Sequence, residues 1–415
     1  MYSLGFQIYV WIFRLVAVFH SKARKMVLGQ RETFERLESL HAVPGEYLWF
    51  HAASLGEFEQ GRPLMEAIRK EYPDRKILLS FYSPSGYEVR HDYAGADVVC
   101  YLPFDLKRNV RRFLALLHPK AVFFIKYEFW PNYLKALHDR EIPVFLISGI
   151  FRPTQVFFKP WGAFYRRLLR YFSFFFVQNP VSEELLRSMG LGDKVLMTGD
   201  TRCDRVLQVA AGKKEIIGLS DFLPDKSGSP VMVAGSTWPP DEELIIPFFN
   251  EHPELKLIVA PHQVSESHLA YIESLLERPY VRYSQLNQTP DPQADCLLID
   301  CYGLLSSVYG YGTMAYVGGG FGVGIHNTLE AAVYRIPVVF GPNYRKFDEA
   351  KALLADGGAF SISDAEQLAS RLNHWLLKPE DCRQAGCAAG EYVQRNSGST
   401  ERILAALKQH FKQAI

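Results

Sequence analysis

From residue 47 onward, short apolar runs alternate with stretches of helical period. Tyr47 to His51, Lys76 to Ser80, Val98 to Tyr101, Ala121 to Lys126, Pro143 to Ser148 and Phe174 to Gln178 predict strands. A polar stretch with Gly and Pro at 213–230 interrupts the rhythm. It restarts with Val231 to Ala234, Leu257 to Ala260, Cys296 to Ile299, Met314 to Val317 and Pro337 to Phe340. Continuous apolar strands separated by helices predict parallel sheets covered on both faces. The expected fold class is therefore α/β, with two Rossmann-like domains whose parallel sheets face across a cleft. The expected divisions are an N-terminal segment at 1–25, a first domain at 26–212, a linker at 213–230 and a second domain at 231–396. A helix at 397–415, after the Ser397-Gly398-Ser399 break, is free to cross back to the first domain.

The N-terminal segment has its own pattern. Leu4 to Phe19 is apolar except for Gln7 and Arg14; Lys22, Arg24, Lys25 and Arg31 follow, and no acid precedes Glu32. The run falls short of the ~20 residues that span a bilayer, and Arg14 near its middle is costly in hydrocarbon. These features predict a helix lying in a membrane surface, held by basic flanks on the cytoplasmic side. A helix packed on the first domain and an uncleaved anchor are the rivals. A cleaved signal is disfavoured because the basic residues follow the apolar run.

Composition narrows the class. The chain has 415 residues and a net charge of +1, which suits two globular domains and names no polyanionic partner. Its six cysteines form no C-x-x-C pair or zinc spacing, so buried reduced thiols are expected. From Ile142 to Ser182 there is no acid, while Arg152, Lys159, Arg166, Arg167 and Arg170 alternate with Phe157, Phe158, Trp161, Phe164 and Tyr165. That face suits an anionic, lipid-bearing partner. Nucleic acid is disfavoured by the neutral balance and the apolar N-terminus.

Candidate chemistry gathers where strands end, because ligands of open α/β sheets bind at the carboxyl edge. Ser54-Leu55-Gly56-Glu57 follows the first strand and fits either a capping box or a site carboxylate. Glu128 follows the fourth strand. It faces the same edge, or pairs with Lys126, or caps the next helix. Ser83 to Gly86 and Leu102 to Asp105 are further turns on that edge. In the second half, Gly235-Ser236-Thr237 offers hydroxyls and N–H groups to an anion, and Pro261-His262-Gln263 follows the next strand. Tyr316 to Glu330 runs through Gly318, Gly319, Gly320, Gly322 and Gly324 into a predicted helix, a suitable cradle for phosphate. It fits neither G-x-G-x-x-G nor the P-loop, which disfavours dinucleotide and P-loop enzymes. Asn327-Thr328-Leu329-Glu330 also mimics a capping box.

HAASLGE at 51–57, KYEFWPN at 126–132, TGDTRCD at 198–204, AGST at 234–237, GGGFGVGIHNTLEAA at 318–332 and IPVVFGP at 336–342 together resemble the bacterial 3-deoxy-D-manno-octulosonic acid (Kdo) transferases. The resemblance implies a membrane-associated GT-B glycosyltransferase that needs no metal or cofactor. Its reaction would move Kdo from CMP-Kdo to the lipid A disaccharide precursor with inversion, at the cytoplasmic face of the inner membrane. By resemblance, Glu57 matches the catalytic base and Glu128 a transition-state-stabilising carboxylate. His262, Gln263, Gly303, Leu304 and Asn327, Thr328, Leu329, Glu330 match segments that contact CMP. Arg202 and the loop with Gly319 and Gly320 would meet the leaving phosphate, beside Ser236 and Thr237. Arg152, Arg166 and Arg167 are the acceptor-binding candidates. The chain departs from the family where it has Arg202 for lysine, His262-Gln263 for arginine-histidine and Trp238 for histidine. A UDP-sugar transferase or epimerase, and a silent lipid A binding protein, are the alternatives.

Overall fold

The computed structural model describes every residue except 1, 41–42, 213–214, 224–228, 287–293 and 415. Much of the expected linker at 213–230 thus lies outside the described residues; within it, Leu219–Phe222 is a short helix. The chain divides into two compact units, one of residues 1–205 with 397–415 and one of residues 206–396. The division falls inside the helix Thr201–Ala211, upstream of the expected boundary at 212.

In the first unit the strands are β1 (Tyr47–Ala52), β2 (Lys76–Phe81), β3 (Val98–Tyr101), β4 (Ala121–Ile125), β5 (Val144–Gly149), β6 (Phe174–Val177) and β7 (Val195–Met197). They form a parallel sheet in the order β3-β2-β1-β4-β5-β6-β7. Alternation along β1 explains its two-sided burial. Trp49 points to one face, against Phe113, Phe124 and Tyr133, and Phe50 points to the other, stacked on Phe123 at 4.5 Å. A fully buried side chain of this size contributes about 2–3 kcal/mol through burial alone.

Three helices matter for the site. Helices α1 (Tyr2–Phe19) and α2 (Ser21–Leu40) are separated at His20, where the Arg24 guanidinium takes up the carbonyls of Ala17 and Val18. Helix α3 (Leu55–Glu71) follows β1 directly. The C-terminal helix Ser399–His410 completes this unit: Ile403 and Leu407 enter its core, and Asp204 accepts the N–H groups of Gly398 and Thr400.

The second unit holds β8 (Val231–Thr237), β9 (Lys256–Pro261), β10 (Tyr280–Arg282), β11 (Cys296–Leu298), β12 (Met314–Val317), β13 (Val338–Phe340) and β14 (Ala359–Ser361). Its parallel sheet runs β10-β11-β9-β8-β12-β13-β14. Its core gathers Ile245, Phe249, Leu257, Leu298, Tyr316 and Trp375.

Candidate active site

Glu57 sits in the first turn of α3, where small Ala52 and Ala53 end β1. Its Oε2 accepts the N–H of Ser54 at 3.0 Å, the carboxylate half of a capping box. The capping and the site readings therefore describe one side chain. Burial pushes its pKa up, and the nearby Glu128 charge adds to this. Glu128 follows β4 and is buried at 7% exposure. Its Oε2 accepts from His51 Nε2 at 2.9 Å and from Trp130 Nε1 at 2.6 Å. The first sheet thus brings the two carboxylates to one edge, because β1 and β4 are hydrogen-bonded neighbours.

The surroundings of this pair were not evident from the sequence. His51 is wholly buried, and its other ring nitrogen lies 2.8 Å from Ser80 Oγ. Tyr82 packs on Trp130 at 4.9 Å. Asp105, buried in the turn after β3, accepts from the N–H groups of Asn132 and Tyr133 and from Tyr2 O–H at 2.8 Å; burial pushes its pKa up to about 7. Through Tyr2, and through Phe6 against Trp130 and Phe13 against Phe104, α1 lies along this edge. Val10 and Ala17 are buried on the same side, whereas Leu4, Ile8, Trp11, Ile12, Leu15 and Phe19 are exposed. Among the described residues α1 is the one helix whose length and composition suffice to cross a membrane.

Arg202 forms an ion pair with Asp200 at 2.6 Å. Arg152 donates to the Tyr127 hydroxyl at 2.8 Å, next to Glu128. Arg166 donates to the carbonyls of Phe157, Lys159 and Pro160 and so clamps its own loop. Arg166, Arg167 and Arg170 line a cavity of about 680 Å³ with His138 and Tyr171. The aromatics of this stretch divide: Phe157 is core, whereas Trp161, Phe164 and Tyr165 are exposed.

In the second unit the carboxyl edge is built from turns. Gly303 and Gly319 have φ of 94° and 90°, a region that side chains disfavour. Gly320 lies so close to the next turn that a Cβ there would meet Gly341 Cα at 2.6 Å. The buried Asp241 ties the loop down, accepting from Gly319 N–H and Tyr316 O–H. Trp238, His262 and His326 form a ring cluster: His262 stacks on Trp238 and on His326 with centroids 4.6 and 4.5 Å apart, and Trp238 Nε1 donates to His326 Nε2 at 3.3 Å. Burial, and then the neighbouring His262, push the His326 pKa down to about 4. Gln263 is exposed beside His262, and Leu304 precedes the short helix Leu305–Val308.

Two expectations change here. The helix after the glycine loop is only Leu329–Ala332, one turn, so its dipole supplies little of the positive potential expected at Asn327. Asn327 instead accepts from Leu329 N–H and donates to Glu330, which also accepts from Ser306, while Thr328 and Leu329 are buried. The Thr237 hydroxyl is likewise spent, donating to the buried Glu242, whereas Ser236 holds a left-handed backbone with φ of 53°. Among the described residues no group of three or more His, Cys, Asp or Glu is arranged to hold a metal.

Two Rossmann-like units, each with a parallel sheet and polar groups at its carboxyl edge, define the GT-B fold. Solved structures agree in fold: a UDP-GlcNAc 2-epimerase from Neisseria meningitidis has a TM-score of 0.63 at 16% identity, covering 88% of this chain and 100% of that one. MurG from Acinetobacter baumannii has a TM-score of 0.56 at 12% identity, with 88% and 100% covered. Residues 28–205 match the family described as 3-deoxy-D-manno-octulosonic-acid transferase (kdotransferase). The transferase of that name from Haemophilus influenzae is 25% identical over 90% of this chain and 89% of its own length. That of Aquifex aeolicus is 27% identical over 82% and 88%. Over most of its length the chain is thus similar to the Kdo transferases, a family of glycosyltransferases.

Proposed function

We propose that this enzyme moves Kdo from CMP-Kdo to the lipid A disaccharide precursor, with inversion, at the cytoplasmic face of the inner membrane. The observation that carries the reading is the pair Glu57 and Glu128 on adjacent strand ends, with burial raising the Glu57 pKa. Glu57 takes the proton from the acceptor hydroxyl as its oxygen bonds to the anomeric carbon. The bond from that carbon to the CMP phosphate breaks in the same displacement, and CMP leaves. General-base assistance of this kind is worth about 10²–10⁴-fold. Glu128 stabilises the positive charge that develops at the anomeric carbon.

On this reading the second unit holds CMP through Ser236, His262, Gln263, Gly303, Leu304 and the backbone of Gly319, Gly320 and residues 327–330. The Trp238, His262 and His326 cluster offers a ring surface. Backbone N–H groups of that unit meet the leaving phosphate, and EDTA should leave the rate unchanged. Arg152 and Arg167 are the candidates for the acceptor phosphates.

The α1 helix supports an interfacial attachment. A helix packed from Tyr2 to Phe13 along the protein has one flank committed, whereas its open flank is an apolar stripe. A cavity of about 660 Å³ behind it is lined by Arg14, Arg31, Lys107, Arg108 and Arg112, suited to anionic lipid. Release of CMP from CMP-Kdo, measured with and without the lipid A precursor, tests the whole reading. Acceptor-dependent release is expected; displacement of the donor by UDP and not by CMP would move the enzyme to the UDP-sugar class.

A further inference from the structure

The buried ring of His51 lies outside the roles given above, yet it is tied to both neighbours of its strand. In the register of β1 and β2 His51 stands opposite Ser80, and Trp49 lies two residues earlier on the same face. Trp49 Nε1 donates to Ser80 Oγ at 2.8 Å. An indole N–H only donates, so Ser80 Oγ accepts there and its own proton is left for another partner. His51 Nδ1, at 2.8 Å, is nearer than the Phe50 carbonyl at 3.4 Å. With Nδ1 accepting, the ring proton sits on Nε2, 2.9 Å from Glu128 Oε2. If the ring were doubly protonated, the Ser80 carbonyl, 3.0 Å from Nδ1, would accept instead and Nε2–H would still face Glu128. Either state delivers a donor to the same carboxylate oxygen, which Trp130 also engages.

We propose that His51 is the positioning residue of Glu128, its Nε2–H oriented by the Trp49–Ser80 chain so that the carboxylate is fixed in one plane beside the reaction. This deepens the function proposed above and rests on it. Carboxylate placement matters steeply, because an error near 1 Å can cost on the order of 10² in rate.

The test exploits the two ends of the ring. His51→Gln carries an amide N–H to about the Nε2 position, whereas His51→Asn reaches only the Nδ1 position. His51→Asn should lower kcat for CMP-Kdo turnover at least about tenfold, with the CMP-Kdo KM within about twofold, and His51→Gln should restore most of kcat. Equal losses in the two variants, or no loss in His51→Asn, would overturn the assignment. If His51→Asn does not fold, Ser80→Ala interrupts the same chain upstream; it should lower kcat with KM unchanged, and an unaltered kcat would equally overturn it. A wild-type protein without acceptor-dependent CMP release would instead sink the proposed function, so the two failures are distinct.

Discussion

At the carboxyl edge of the first sheet, acids are buried and held by side chains: Glu128 by His51 and Trp130, Asp105 by Tyr2 and two N–H groups. At the corresponding edge of the second sheet the buried acids Asp241 and Glu242 hold the glycine loop and Thr237 in place, and the edge itself is shaped by glycines at positive φ and by a cluster of rings. The strand orders differ as well. Reading from β3 the first sheet descends in sequence to β1, whereas in the second β11 is inserted between β10 and β9. A buried, hydrogen-bonded carboxylate suits a step that moves a proton, and a glycine-built concavity suits an anion that must bind and leave. The difference teaches that one strand-and-turn plan carries reaction chemistry when side chains fill the edge, and recognition when the backbone does.

The sharpest way to break this comparison is Glu57→Gln. It should lower kcat at least 10²-fold while calorimetric CMP affinity stays the same. A variant with more than a tenth of the activity would leave Glu57 as a helix cap alone. The second edge is probed by His262→Ala and Trp238→Ala, which should each weaken CMP by about tenfold, the range of a lost stacking contact, with kcat at saturation within about twofold. A fall in kcat at unchanged affinity would erase the division of labour.

Smaller effects sharpen the picture. Glu57 works as a base only when ionised, so activity should fall as pH drops through its raised pKa. Glu128 repulsion is part of that rise, so Glu128→Gln should move the acid limb of the residual rate profile to lower pH. A limb that stays put or moves up would separate the two carboxylates. Last, Arg166→Ala should cost about 1–2 kcal/mol in urea unfolding because loop carbonyls lose their donor, whereas Arg167→Ala should leave stability alone and raise the acceptor KM a few-fold. The opposite pattern would return Arg166 to the acceptor.

Much of the fold was legible because parallel strands buried on both faces announce themselves as apolar runs, as Leu48, Trp49 and Phe50 do. The carboxylates were legible because Glu57 and Glu128 follow such runs directly. His51 was not, since its meaning depends on which residue of β2 stands beside it, and register is set by pairing across many intervening residues. The loop clamp of Arg166 was hidden for a related reason: which carbonyls a cation reaches depends on how the chain folds back on itself, and spacing does not reveal that. The length of the helix after the glycine loop was not legible, because N-T-L-E reads as a cap at any length, and the chain turns after Ala332.

Helix α1 also sets a timetable. Its partners Phe104, Asp105, Trp130 and Asn132 lie roughly a hundred residues downstream, which at about 5–20 residues per second means several seconds of synthesis before any exists. Trp11, Leu15 and Phe19, which stay exposed in the finished fold, are open from the moment they leave the ribosome. The apolar stripe is thus on offer to other surfaces several seconds before the first sheet exists.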